Sequence, residues 1–92
     1  MNPYRYRAVP TFWASYRLLT PDQKAAAKRA FKIFLKDAFD PRLRTHKIHS
    51  LSARAGRTIY AVEVDADLRA LFFLRGDEIV SFDIGTHDVY RR

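Results

Sequence analysis

Five consecutive apolar residues, Ala70-Leu71-Phe72-Phe73-Leu74, stand between two arginines near the chain's three-quarter point. A strand without polar alternation has no side to give to water, so this segment belongs in the middle of a sheet that is covered on both faces. That demand is severe for a chain of 92 residues. A domain of this size buries only about 60–65% of the surface its unfolded form exposes, so every apolar element must share one core. We therefore expect a single domain over residues 1–92. With 48% hydrophobic and 14% aromatic residues the composition is that of a folding chain and not of a basic tail.

The remaining elements are read around that strand. Tyr4 to Val9 alternates aromatic or aliphatic residues with arginines and predicts a first strand, ended by Pro10. Thr11 is placed to cap a brief helix carrying Phe12 and Tyr16. In Thr20-Pro21-Asp22-Gln23 a capping hydroxyl, a proline at the first helical position and a glutamine that can reach back predict a helix start. The apolar spacing of Ala27, Phe31, Phe34, Leu35 and Ala38 carries that helix to Ala38 or Phe39, short of Pro41. Strands are expected at Arg44 to Leu51, Thr58 to Val64, Arg69 to Leu74 and Glu78 to Ile84. A loop at residues 52–56 and turns at Asp65-Ala66-Asp67 and Gly76-Asp77 separate them. The order β-α-α-β-β-β-β predicts an α+β fold, a twisted and mostly antiparallel sheet with an N-terminal helical hairpin packed on one face.

Charge narrows the partners. The formal net charge is +7, and it is uneven: residues 1–60 hold 13 basic against 3 acidic residues, residues 61–92 hold 4 against 7. Such a field attracts polyanions, whether nucleic acid, ribosome or acidic protein. Lys24, Lys28, Lys32 and Lys36 recur every four residues and would form a stripe about 18 Å long on a helix, either along a phosphate backbone or as a plain solvated face. Arg42, Arg44, Lys47, Arg54 and Arg57 crowd a strand and its loop, where several cations could meet one phosphate. The absence of cysteine removes thiolate chemistry and sulfur metal sites and fits a cytosolic protein. No apolar run approaches a membrane span, and Met1 leads into Tyr4-Arg5-Tyr6-Arg7 without a signal-like apolar region, so neither a membrane protein nor an exported one is expected.

Three histidines and an arginine are the residues with chemistry to offer. His46 and His49, three apart in an expected strand, would face opposite ways and not share a metal. His87 stands in Gly85-Thr86-His87-Asp88, just past a hydrophobic strand, where a rigid sheet presents side chains to a ligand. Arg69 heads the apolar strand and either serves a site or pairs with Asp67 or Glu63. With Tyr90, His87 and Arg69 would suit metal-independent RNA cleavage, in which a base activates the 2′-hydroxyl, a guanidinium neutralises the phosphorane and an acid protonates the leaving 5′-oxygen.

Phe12…Leu19, the long helix, Pro41-x-Leu43-x-x-His46-Lys47-Ile48, Asp67-Leu68-Arg69-Ala70-Leu71-Phe72 and Gly76-Asp77-Glu78-Ile79 through Ile84-Gly85-Thr86-His87-Asp88-Val89-Tyr90 resemble the RelE/ParE superfamily of bacterial toxins. The resemblance is to its YafQ/HigB/YoeB-like mRNA-interferase branch and covers nearly the whole chain. It implies a cytoplasmic toxin that enters the ribosomal A site, cuts mRNA without cofactor or metal, and is silenced by a cognate acidic antitoxin in a hetero-oligomer. Carried over by residue, it implies that Arg69 stabilises the scissile phosphate, His87 transfers a proton, Tyr90 positions or stacks a base, and His46, or secondarily Asp67, is the general base. Arg44, Lys47, Arg54 and Arg57 are the expected nucleic-acid contacts. The chain departs from the pattern at Ala61 and Val62, where some relatives carry an imidazole, in a longer loop at 52–56, and in lacking RelE's paired lysines. A ParE-like inhibitor of DNA gyrase, or a member that has lost catalysis, would keep the same fold.

Overall fold

The computed structural model describes residues 4–91. Strands β1 (Arg5–Ala8), β2 (His46–Lys47), β3 (Tyr60–Glu63), β4 (Arg69–Arg75) and β5 (Glu78–Gly85) form one sheet in the order β1-β5-β4-β3-β2. All pairs are antiparallel except β1 with β5. The apolar strand β4 is thus central, and alternate residues feed two cores. Ala70 and Phe72 face one core, Leu71 the other.

The first core lies under the helical hairpin, α1 (Pro10–Tyr16) and α2 (Pro21–Phe34). Both halves of the expected capping box form, with Gln23 N–H donating to Thr20 Oγ1 at 3.1 Å and Thr20 N–H to Gln23 Oε1 at 2.9 Å. Ala27 and Ala30 let α2 approach the sheet closely, and Phe34 meets Phe72 edge to face at 5.3 Å. Helix α2 ends at Phe34, earlier than the apolar spacing predicts. The Asp37 carboxylate accepts the Phe39 N–H, and the chain leaves the helix there while Ala38 stays in the core.

Helix α1 is also corrected in detail. It begins at Pro10 with no side-chain cap, because the Thr11 hydroxyl donates instead to the Phe82 carbonyl at 2.8 Å. Ser15 Oγ donates to Asp83 Oδ1 at 2.6 Å. Beyond the four residues paired with β1, the outer edge of β5 is therefore closed by α1, not by strand.

The second core lies on the opposite face and overturns one expected element. Arg44 to Leu51 is not a strand: only His46–Lys47 pairs, and α3 (His49–Ala55) follows. Ile48 and Leu51, at helical spacing, pack with Ile59, Ala61, Leu71 and Val89. Ser52 holds the segment closed, donating to Ile48 O and accepting Ile59 N–H, both at 2.8 Å. Gly56, at φ +71°, ends the helix in the left-handed conformation that a glycine adopts without strain. This helix supplies the second cover that the apolar strand demanded.

Candidate functional site

The second face carries most of the residues singled out from sequence. Register places them: His46 lies opposite Ala61, Ala61 opposite Leu71 and Leu71 opposite Asp83. The face then continues past Gly85 into a 3-10 turn, His87–Tyr90, whose Val89 enters the second core. At about 4.8 Å per strand, His46 and the far end of that row are about 14 Å apart along the backbone.

His46 is exposed, and its Nδ1 lies 2.7 Å from the Arg44 carbonyl. A carbonyl only accepts, so Nδ1 carries the proton and the neutral ring keeps its lone pair on Nε2, the arrangement a general base needs. Arg44 itself has φ +50°, a strained value for a side chain-bearing residue, in the turn that aims this carbonyl. Its guanidinium approaches Glu63 at 4.0 Å. His87 is exposed, and its ring meets the Tyr90 ring edge to face at 5.9 Å. Arg54 Nη2 donates to the Tyr90 carbonyl at 2.9 Å and so joins α3 to the C-terminal turn.

Arg69 is placed differently from the role its position suggests. Only 11% of its side chain is exposed; Nη1 donates to the carbonyls of Asp65, Ala66 and Leu68 at 2.6, 3.2 and 3.2 Å, and Nη2 lies 3.9 Å from Glu63. The guanidinium closes the β3–β4 turn, and of the two partners considered from sequence it takes Glu63. Arg69→Ala is expected to cost about 1.5–3 kcal/mol, because it removes the charged donor that ties the carbonyls of Asp65, Ala66 and Leu68 together beside Glu63. Urea denaturation checks this, and an unchanged midpoint would show that the turn holds without the guanidinium.

The other candidates divide. Lys47 pairs with Tyr60 and points to the face opposite His46. His49 stands at the start of α3, so the strand argument about it and His46 falls away. Asp67 is exposed in the β3–β4 turn, its N–H held by Asp65 Oδ1 at 3.0 Å. Arg42 is spent on Asp40, whose carboxyl it holds below the ordinary carboxylate range by a direct hydrogen bond. The lysine stripe is shortened, since Lys36 lies beyond the end of α2. Among the described residues no three His, Asp or Glu side chains gather as a metal site, and no helix is long and apolar enough to cross a membrane.

Between α3, the sheet and the C-terminal turn lies a cleft of about 410 Å³. Arg54 and Arg57 line it with Phe73, Phe82, Val89 and Asp83. The Arg57 guanidinium sits 4.3 Å from the centre of the Phe73 ring. Sequence alone hides this cleft, because residues 49–55 taken as strand and loop leave this side of the sheet without a wall.

No protein-family model and no curated protein matches the chain. Solved structures do. YafQ from Escherichia coli strain BL21(DE3) superposes with a TM-score of 0.72 over 95% of this chain and 97% of its own, at 11% identity. RelE in the archaeal RelE–RelB complex of Pyrococcus horikoshii OT3 gives 0.67 over 91% and 94%, at 10% identity. A copper-bound mutant toxin from Helicobacter pylori gives 0.61 over 94% and 97%, at 11% identity. The chain has the YafQ/RelE fold. The α+β fold expected from the resemblance is the one found, with α3 as an element that the expected order lacked. In this YafQ/RelE-like frame His46, His87, Tyr90, Arg54 and Arg57 lie on the second face or in the elements that border it.

Proposed function

We propose that this protein is the toxin of a type II toxin–antitoxin system and that it cuts mRNA on the ribosome without a metal ion. The observation that carries the reading is one sheet face of a YafQ/RelE-type fold holding an imidazole with its Nε2 lone pair directed away from the backbone, a second exposed imidazole and a cationic rim. In the proposed reaction His46 Nε2 takes the proton of a 2′-hydroxyl, whose oxygen attacks the adjacent phosphorus. Guanidinium groups neutralise the charge that grows on the phosphorane, and His87 as imidazolium gives a proton to the departing 5′-oxygen. The products are a 2′,3′-cyclic phosphate and a 5′-hydroxyl. Arg54 and Arg57 are at the surface for the neutralising role, whereas Arg69 would have to leave its turn partners to take part. Tyr90, beside His87, is placed to stack a neighbouring base. The net positive charge suits entry into the RNA-rich ribosomal A site, a cytoplasmic target.

The proposed silencing partner is an acidic antitoxin segment. A groove of about 280 Å³ beside the edge strand β1, lined by Arg7, Trp13, Phe31 and Leu35, leaves Trp13 44% and Leu35 54% exposed. An acidic segment with apolar anchors would cover those side chains and meet the surrounding cations. The expected association weakens steeply with ionic strength; affinity unchanged between 50 and 500 mM salt, roughly 14 and 4 Å of screening length, would contradict the electrostatic part.

A second reading, a gyrase inhibitor or a member without catalysis, is favoured by Arg69, whose guanidinium is spent on structure. Purified protein in a coupled translation extract separates the two. The nuclease reading expects cleavage of translated but not of untranslated mRNA; intact mRNA together with blocked supercoiling by gyrase would replace it.

A further inference from the structure

We propose that Arg54 is a positioning residue for His87: by holding the Tyr90 carbonyl it fixes the C-terminal turn that presents the acid to the leaving 5′-oxygen. This rests on the nuclease reading of the second face and deepens it, because it gives one arginine of the cleft a part beyond its charge.

His87 stands on a turn that depends on its surroundings for order. Strand β5 is bent shortly before its end, where its pairing with β4 slips: Leu71 lies opposite Asp83 and Phe72 opposite Ser81, leaving Phe82 as the extra residue of a bulge. The pairing ends at Gly85, opposite Arg69. The turn that follows, His87–Tyr90, has no side-chain cap and closes through Val89 N–H on the Thr86 carbonyl at 2.9 Å and Arg91 N–H on the Asp88 carbonyl at 3.0 Å. A lone 3-10 turn has poor hydrogen-bond geometry, and what packs against it decides how it is held.

Two anchors hold this one. Val89, 1% exposed, sits in the second core. A buried apolar side chain fixes where the turn lies but lets it rock about that side chain. The second anchor stops the rocking: Arg54 Nη2 donates to the Tyr90 carbonyl at 2.9 Å, a charged donor on backbone, reaching over from another element. Its root is firm, since Arg54 lies in the last turn of α3 between the buried Leu51 and Gly56, whose N–H donates to the Ser52 carbonyl at 3.1 Å. From Tyr90 the constraint reaches the imidazole, because the His87 and Tyr90 rings meet edge to face at 5.9 Å. The two arginines of the cleft are thus placed differently: Arg57 lies over the Phe73 ring at 4.3 Å, whereas Arg54 reaches the turn.

The test compares Arg54→Ala, His87→Ala and the double variant on programmed ribosomes, with an ordinary message and with one carrying a 5′-phosphorothiolate at the cleavage site, whose sulfur leaves without a proton. Arg54 is exposed, so its truncation opens no cavity. On the ordinary message Arg54→Ala is expected to lower kcat by about 10–10²-fold. That loss should shrink about tenfold on the thio message, and by as much in the His87→Ala background, because an arginine that acts through His87 then has nothing left to position. A loss equal on both messages and in both backgrounds is that of a plain charge and would overturn the proposal. The second measurement uses the free protein and needs no cleavage. By NMR the wild type should show contacts between the His87 and Tyr90 rings and rigid amides at residues 87–91; Arg54→Ala should lose both, and Arg57→Ala should keep them. Ring contacts and rigid amides that survive in Arg54→Ala would overturn the proposal as well. A wild type that cuts no message would instead remove the nuclease reading, and the NMR comparison would still decide whether Arg54 fixes the turn.

Discussion

His87→Ala is expected to lower mRNA cleavage on programmed ribosomes by about 10²–10⁴-fold, and His46→Ala by a comparable factor, while leaving the fold unchanged. Both imidazoles are exposed and neither belongs to a core, so their removal opens no cavity. The two variants should differ in one respect. His46 is oriented through Nδ1 by the Arg44 carbonyl, so His46→Gln, which can keep a hydrogen bond but cannot act as a base, should be as inactive as alanine. His87 is assigned the acid step, so a substrate with a better 5′ leaving group, such as a 5′-phosphorothiolate linkage, should restore much of the rate lost in His87→Ala and little of that lost in His46→Ala. Cleavage by both alanine variants at the wild-type rate, measured by primer extension on a defined message, would remove the two histidines from the mechanism.

Phe72→Ala is expected to be the most damaging core substitution, costing about 3–5 kcal/mol. Phe72 is 1% exposed, stacks on Tyr60 at 5.1 Å, and receives Phe34 and Phe39 edge to face at 5.3 and 5.8 Å. It joins α2, the segment after it and two strands, so truncation leaves a cavity that no single neighbour can fill. For a domain of this size such a loss lowers the melting temperature by roughly 15–30 °C. Phe72→Leu, which keeps most of the volume, should cost less. Calorimetry of the three proteins checks this, and an alanine variant melting within a few degrees of the wild type would show that the hairpin repacks onto the sheet.

How far the sequence can be read depends on how local the signals are. The capping box at Thr20–Gln23, the hairpin turn at Gly76-Asp77 and the central position of Ala70–Leu74 are each set by neighbouring residues, and the structure has all three. Helix α3 escapes such a reading because Ile48 and Leu51 are only two apolar residues, too few to mark a helical face in a segment this short. The helix is decided by tertiary contacts, the Ser52 bonds to Ile48 and Ile59 and the second core, which no window of sequence contains. The bulge at Phe82-Asp83 is invisible for the same reason, since register belongs to a pair of strands and not to one. Of the candidate site, His46 and Arg54 are recognisable as residue types, but the features that distinguish them, a carbonyl on Nδ1 and a bond to the Tyr90 backbone, arise only on folding. Arg69 shows the opposite case. A strand-leading arginine reads as a phosphate ligand or as a partner of Asp67 or Glu63, and which carbonyls surround its guanidinium is set only by the folded turn.

The central claim is that this protein cuts translated mRNA, and mapping the 5′ ends of cellular transcripts after a brief induction tests it most directly, with His87→Ala induced in parallel. The account predicts new 5′-hydroxyl ends inside translated frames that the variant does not produce. Growth arrest with no new ends, or the same ends from both proteins, would contradict it.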